Sequence, residues 1–220
     1  AQPAAHPSTR SLSIWGWAVA IAILAGGAAD AAPVALYDSI NGSSADGSDP
    51  ASNATWLANQ FNTDVATYQL DSVVLDFVTA PLGTIAVDIY SDVSGTPTSN
   101  LGTLTNPLVF SDGSNIFTAS GILSLEASKS FWVVLRGVGA NIVDWNWTTN
   151  TPAGIGTSTN TNFSTTAGAS WAGISSGTPY MMTVNATPVA VPEPSTWAMG
   201  LAGVGFAGVT ALRRRRRRQG

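Results

Sequence analysis

Carboxylates are the main side chains with which this sequence could do acid-base chemistry. The chain has no cysteine, and its one histidine, His6, precedes a segment that we expect to be removed. A Ser-His-Asp triad and a histidine-ligated zinc ion are therefore excluded from the mature body. Paired acids of the glycosidase type remain, with Asp71, Asp76, Asp88, Glu126 and Asp144 as candidates. Asp76 and Asp88 alternate with apolar residues, which favours a solvated strand face, and we expect no enzyme.

Two glycine-containing segments offer the side-chain oxygens that calcium prefers in proteins. They are Asp46-Gly47-Ser48-Asp49 and Asp112-Gly113-Ser114-Asn115. Neither segment matches an EF-hand or a nonapeptide repeat, and Asp and Asn are also the commonest turn formers. We therefore expect no cofactor, with calcium as the alternative.

Tryptophans offer a different kind of ligand contact, because an exposed indole can stack on a sugar ring. Trp132 lies within an alternating apolar set, residues 131 to 135, and falls on the opposite face together with Arg136. If the set faces the core, Trp132 is half-exposed beside a rare positive charge, in a cation-π pair or a ligand platform. Core packing is nevertheless the favoured interpretation for Trp132, as it is for Trp145 and Trp147.

Short strands are the elements that must position these residues. Apolar residues alternate with period two between turn signals rich in Gly, Pro, Asn and Asp, which predicts an all-β, antiparallel β-sandwich that is jelly-roll-like. Residues 54–61 are left open between a helical turn and an irregular strand. The clearest alternating sets are Val73, Leu75, Phe77; Ile85, Val87, Ile89; Val143, Trp145, Trp147; and Tyr180, Met182, Val184.

Charge is scarce and unevenly placed in the 220 residues, of which 10% are charged. Between residues 33 and 190, Lys129 and Arg136 are the only basic residues against eleven acidic ones, a formal charge of −9. An acidic body is a poor partner for nucleic acid. The absence of cysteine also excludes disulfide bonds.

The N-terminal segment has the pattern of a secretory signal peptide. Arg10 precedes an apolar run from Leu12 to Ala25, and Ala29-Asp30-Ala31 has the form of a signal-peptidase site. The run is short for a membrane span, and no charged stop-transfer cluster follows it. We predict a helical signal peptide over residues 1–31, cut by signal peptidase after Ala31, with a buried N-terminal helix as the alternative.

The C-terminal segment contains three blocks in a fixed order. The prolines of residues 191–196 favour the extended backbone that a protease can grip. The uncharged block 197–212 would be about 24 Å long as a helix, slightly shorter than a hydrocarbon core of roughly 30 Å. The last block resists translocation, which places the acidic body outside the cytoplasm. It consists of Arg213, Arg214, Arg215, Arg216, Arg217 and Arg218, which we predict to be a cytoplasmic anchor.

This order of blocks resembles the PEP-CTERM sorting signal of Gram-negative bacteria. In that family the tail is recognised by exosortase, an integral membrane cysteine protease or transpeptidase, and the genes accompany exopolysaccharide and biofilm production. The resemblance implies that Pro192, Glu193 and Pro194 are the recognition motif. It also implies transient anchoring in the inner membrane, followed by delivery to the surface or extracellular matrix. A permanent tail anchor is the alternative.

The body resembles the extracellular modules called choice-of-anchor domains, most of all type R, a family that implies a β-sandwich and no settled activity. The resemblance rests on residues 60–61, 70–73, 87–92, 94–97 and 130–135. We therefore expect a sandwich domain over residues 32–188 and a sorting signal over 189–220.

A non-enzymatic surface or matrix protein is the first hypothesis for the function of the chain. The alternative is a carbohydrate-binding module or adhesin, with extracellular polysaccharide as its partner. An extracellular glycosidase is the third hypothesis, and the scarcity of catalytic groups makes it the least favoured.

Overall fold

The computed structural model describes residues 31–174 and 177–190. None of these residues lies in a helix, and no membrane-spanning helix is found among them. Both predicted terminal helices lie outside the described residues. The described residues form thirteen strands: β1 (Val34–Asp38), β2 (Gly47–Ala51), β3 (Trp56–Asn62), β4 (Tyr68–Phe77), β5 (Ile85–Val93), β6 (Thr96–Thr103), β7 (Gly113–Thr118), β8 (Ser124–Leu125), β9 (Ser130–Gly137), β10 (Val143–Trp147), β11 (Thr161–Ser164), β12 (Ala172–Ile174) and β13 (Met182–Pro188).

The strands form two antiparallel sheets of seven and six strands. The first sheet is built around β4, which pairs with β13 and β10 along one edge and with β8 and β7 along the other. β1 extends it beyond β13, and β2 extends it beyond β10. The second sheet has the order β12-β11-β3-β9-β5-β6. The predicted all-β fold with two antiparallel sheets is confirmed.

The main core lies between the two sheets and contains the alternating residues expected from the sequence. β4 contributes Val73, Leu75 and Phe77, which meet the alternate apolar residues of β5, β9 and β13. Each such side chain contributes roughly 1.5–3 kcal/mol when it is fully buried. The segment 54–61, left open by the sequence, enters β3 at Trp56 and is a strand from there.

The segment between β10 and β11 closes one side of the sandwich by joining the two sheets. Gly156 N donates to Leu36 O of β1 at 2.7 Å, and Gly156 O accepts from Asn62 N of β3 at 2.8 Å. A Cβ atom at Gly156 would lie 1.7 Å from Asn62 O. Only glycine therefore allows the backbone to pass so closely between the sheets.

Two buried tyrosines of the core differ in how their hydroxyl groups are satisfied. Tyr180 stacks on Trp145 with ring centroids 4.6 Å apart, and its hydroxyl donates to Asp49 Oδ2 at 2.9 Å. The Tyr37 hydroxyl makes no hydrogen bond of good geometry within the described residues, although the Asn59 and Ser39 side chains are near enough to oppose the effect of burial on its pKa. Burial raises the pKa of Tyr37 to about 12, so the neutral phenol is the form that the core accepts.

The two tyrosines should respond differently to loss of the hydroxyl. Tyr180→Phe should lower the free energy of unfolding by about 1–2 kcal/mol, because a hydrogen bond to a carboxylate is lost. Tyr37→Phe should change it by less than about 0.5 kcal/mol or raise it, since no protein partner is lost. Urea unfolding followed by circular dichroism measures both values. An equal loss in the two variants would contradict this account.

Candidate ligand-binding face

The outer face of the second sheet carries an apolar cluster that is separate from the main core. Strand register places Gln60 of β3, Trp132 of β9 and Tyr90 of β5 in one row, and Ala58 and Val134 lie in the next. We call the whole set the outer aromatic cluster. Its buried floor is Ala58, Trp132 and Val134, and its partly exposed rim is Trp56, Tyr90 and Trp171.

Trp132 is buried, with 1% of its surface exposed, so the favoured interpretation as a packed side chain is correct and the half-exposed ligand platform is wrong for this residue. The side of β9 on which Trp132 lies was predicted correctly, because Phe131 and Val133 point into the main core and Trp132 points away from it. Its indole is covered because the neighbouring rim packs against it and its Nε1 donates to Asp92 Oδ1 at 2.6 Å. A ligand could reach the rim but not Trp132.

A hydrogen-bond network holds the end of the cluster near the turn between β5 and β6. Asp92 Oδ1 also accepts from Gln60 Nε2 at 3.1 Å, and Asp92 Oδ2 accepts from Gly95 N at 3.2 Å. Gln60 Oε1 in turn accepts from Ser158 Oγ and Asn160 Nδ2, both at 2.8 Å. The network therefore fixes β3, β5 and the segment between β10 and β11 around the Trp132 indole.

Arg136 makes its cation-π contact with Trp56 and not with Trp132. Its guanidinium carbon lies 5.2 Å from the centroid of the Trp56 ring. The contact arises because Leu57 pairs with Leu135. The next positions along the two strands, Trp56 of β3 and Arg136 of β9, therefore also lie side by side. A stacked guanidinium orders the ring and keeps a positive charge at the surface of the face.

Asp88 is fully buried beneath this cation, so the solvated position expected from its alternation is wrong. Its exposed fraction is 0%, and its Oδ2 accepts from Arg136 Nε at 3.0 Å. The Thr103 hydroxyl of β6 donates to its other oxygen. Alternation correctly placed Asp88 on the outer face, but the side chains of Arg136 and Thr103 exclude water there. These partners compensate for the hydration that the carboxylate loses on burial.

Trp171 and Tyr90 are the rings of the rim that Arg136 does not cover. Trp171 meets Trp56 edge to face, with centroids 6.4 Å apart. The segment between β11 and β12 brings them together, since Gly168 has a φ of +81° and a Cβ there would lie 2.5 Å from the Trp56 ring. Burial, with the charge of Asp88, raises the pKa of Tyr90, so its hydroxyl stays protonated and can donate.

Trp56 and Trp171 belong to the five tryptophans of the body whose rings could stack on sugars, but nothing in the sequence indicated that they lie together, and Tyr90 was not considered. Trp56 was in the segment left open between helix and strand, and Trp171 is separated from it by more than a hundred residues. The register of β3 against β9 is the missing information, because it decides which side chains become neighbours. The alternation along β9 indicated that Arg136 lies on the outer face, and it indicated nothing about the rings around it.

Two of the other carboxylates considered for catalysis bind neighbouring polar side chains of the first sheet. Asp76 accepts from Asn146 Nδ2 at 2.7 Å and Ser114 Oγ at 3.1 Å on the outer face of the first sheet. Asp71 accepts from Thr187 Oγ1 at 2.7 Å. Within residues 31–174 and 177–190, no group of three acidic, histidine or cysteine side chains could hold a metal ion.

The two segments considered for calcium direct their oxygens to protein donors. Asp46 Oδ2 accepts from Thr149 N and Thr149 Oγ1, both at 2.7 Å, and Asp112 Oδ1 accepts from Ala80 N at 2.8 Å. The first segment is also not a free loop, because β2 begins at Gly47. The absence of a cofactor stays the prediction for these segments, with calcium as the alternative.

Replacing Arg136, the cation bound to Asp88, tests how much this ion pair contributes to the free energy of unfolding. Arg136→Met keeps an aliphatic stem over Trp56 but leaves Asp88 buried without its ion pair. We expect the free energy of unfolding to fall by about 2–4 kcal/mol, towards the low end because Arg136 is 26% exposed. Urea unfolding measures the loss, and Lys129→Met is the matched control at an exposed lysine.

The double variant Arg136→Met with Asp88→Leu distinguishes an unpaired buried charge from lost packing. It should recover at least about half of the loss, because the buried carboxylate is then gone. A single variant as mild as Lys129→Met, or a double variant that is worse than the single one, would contradict the ion-pair account.

Comparison with known proteins adds information mainly at the C-terminal end. No curated protein matches the chain. A solved structure, "The crystal structure of the cysteine protease and lectin-like domains of Cwp84, a surface layer associated protein of Clostridium difficile", is 16% identical with a TM-score of 0.43. The match covers 62% of this chain and 33% of that one, so this chain spans about a third of its length. A similarity this low carries no argument about fold or function.

The C-terminal end matches a known family. Residues 190–217 match the family described as PEP-CTERM protein-sorting motif, which confirms the predicted sorting signal and indicates export with transient anchoring at the membrane. Pro192, Glu193 and Pro194 fall within the match and, with the terminal arginines, lie outside the described residues. The similarity of the body to choice-of-anchor type R stays a prediction. What is established is a sorting motif that follows an all-β body.

Proposed function

We propose that this chain is a non-enzymatic surface or extracellular-matrix protein whose C-terminal motif is cut by an exosortase-type membrane protease. The match of residues 190–217 to the sorting motif is the observation that carries this proposal. The last strand, β13, ends at Pro188, so a cut at or after Pro192 removes no strand. The mature sandwich then joins the exopolysaccharide layer of the cell.

Charge supports release of the body after the cut. The six terminal arginines attract the precursor to anionic inner-leaflet lipids, whereas the body between residues 33 and 190 has a formal charge of −9. The acidic body lies on the other side of the membrane, where it is repelled by anionic lipids. Removal of the tail thus ends the electrostatic attraction to the membrane and leaves only this repulsion.

Mass spectrometry of the mature C-terminus in the native host tests the processing step. We expect a terminus between Pro192 and Thr196 and no trace of the arginine tail. Glu193→Ala should leave most of the chain uncut, because the motif is then incomplete, whereas Asp112→Ala, at an exposed carboxylate of the body, should be cut normally. An intact arginine tail on the mature parent chain would show a permanent anchor instead.

Carbohydrate binding by the outer aromatic cluster is the second candidate function. Three partly exposed rings, Trp56, Tyr90 and Trp171, lie around a buried floor on one face, and such rings can stack on the apolar faces of sugars. Arg136 and the Tyr90 hydroxyl supply hydrogen-bond donors beside them. The acidic body favours a neutral polysaccharide over a polyanionic one, since like charges repel.

Affinity electrophoresis of the mature chain in gels containing neutral polysaccharides tests this candidate. Trp171→Ala should weaken binding at least about tenfold, since loss of a stacking ring costs more than about 1.4 kcal/mol. Trp147→Ala is the control, because Trp147 is also partly buried but packs on the main core of the sandwich. Thermal unfolding shows that both variants fold. Equal retardation of parent and Trp171→Ala chains would exclude this face as the binding site.

A further inference from the structure

The folded body and the sorting motif are separated by almost no linker. β13 ends at Pro188, and Val189 N still donates to Thr67 O at 2.9 Å. Pro192 begins the motif three residues later. Three extended residues span at most about 11 Å, so any protein that grips Pro192 must come about that close to the folded body.

β13 cannot supply more chain at low cost. It lies between β1 and β4 and pairs with both, so peeling it away would break two rows of backbone hydrogen bonds at once. It also carries Met182, Val184 and Ala186 into the main core. A protease that acts on the folded precursor therefore meets the end of the sandwich from which β13 emerges.

That end, which we call the terminal end, is formed by two loops that brace each other. They are residues 63–67, between β3 and β4, and residues 126–129, between β8 and β9. Thr63 Oγ1 donates to Glu126 O at 2.6 Å, and Ser128 N donates to Asp64 O at 2.6 Å. Two such bonds across the loops indicate a preformed surface, which loses little conformational entropy on binding.

The terminal end has the composition of a small protein-docking surface. Val65 stands at its centre with 89% of its surface exposed. Residues 62–65 and 128–130 line a cleft of about 370 Å³ beside it. Lys129, one of only two basic residues between residues 33 and 190, is exposed at the same place. An exposed apolar side chain can contact an apolar site on a partner, and neighbouring charges of both signs favour one orientation of that partner.

We infer that the terminal end docks on the extracytoplasmic face of the membrane protease that cuts the sorting motif, so that the body itself is part of the recognised substrate. This inference rests on the proposed processing. The short linker supports a protein partner, since the enzyme that holds Pro192 is necessarily within reach of Val65 and Lys129. A lipid partner is disfavoured because the body is acidic.

The rate of precursor cleavage after pulse labelling, in host cells that process the parent chain, tests the inference. Val65→Asp should slow cleavage at least about fivefold, because a charge replaces the apolar contact at the centre of the docking surface. Val109→Asp is the matched control, since Val109 is also a valine, 81% exposed, and precedes β7 at the Phe77 end of β4. The control should be cut at the parental rate.

A ten-residue Gly-Ser insertion between Ala190 and Val191 provides the second measurement. The insertion lets the enzyme hold the motif without touching the body, so Val65→Asp should no longer slow cleavage in the lengthened chain. Parental cleavage of Val65→Asp without the insertion, or equal slowing by Val109→Asp, would overturn the docking inference alone. A parent chain that is never cut would overturn the proposed processing and the inference with it.

Discussion

Burial of β9 on both faces is the constraint on which the rest of this structure depends. Phe131, Val133 and Leu135 point into the main core, and Trp132 and Val134 between them point outward yet are equally buried. A strand of an antiparallel sheet that is apolar on both faces needs a cover on the side away from the core. Neighbouring strands and the segment between β11 and β12 provide that cover, and their rings create the outer aromatic cluster.

The two sheets of the sandwich consequently have different outer faces. On the first sheet, Asp76 and Asn146 bond each other, and Thr187 bonds Asp71, which is the ordinary polar surface of a solvated sheet. On the second sheet, rings surround a buried ion pair, in which Arg136, the one cation that the described residues place on that face, is bound to Asp88. A binding function on the body is therefore more reasonably sought on the second sheet, where apolar surface remains partly exposed.

Sequence periodicity predicted the strands well because it reports the side of a strand on which a residue lies. The alternating sets of β4, β5, β9 and β13 all face the main core, and Trp132 was placed on the correct side. Periodicity does not show which other side chains cover that face of the strand. Asp88 was expected in solvent and Trp132 either half-exposed or packed, whereas Asp92, Arg136 and the rim cover both. The register of β9 against β3 and β5 determines those contacts, and it joins segments far apart in the chain, which local periodicity does not relate.

Because the sorting motif follows β13, folding of the body affects how the motif is presented to a protease. A strand that pairs on both sides and supplies core residues can form only when the preceding strands are in place, because its partners β1 and β4 come from the first half of the body. The sorting motif follows β13 almost directly. A precursor in which β13 is unpaired therefore presents the motif on a long unfolded segment, whereas a folded precursor presents it next to the terminal end of the sandwich. A protease that required the terminal end would cut folded chains in preference to unfolded ones. Under the proposed processing, the short linker would couple removal of the tail to completion of the sandwich.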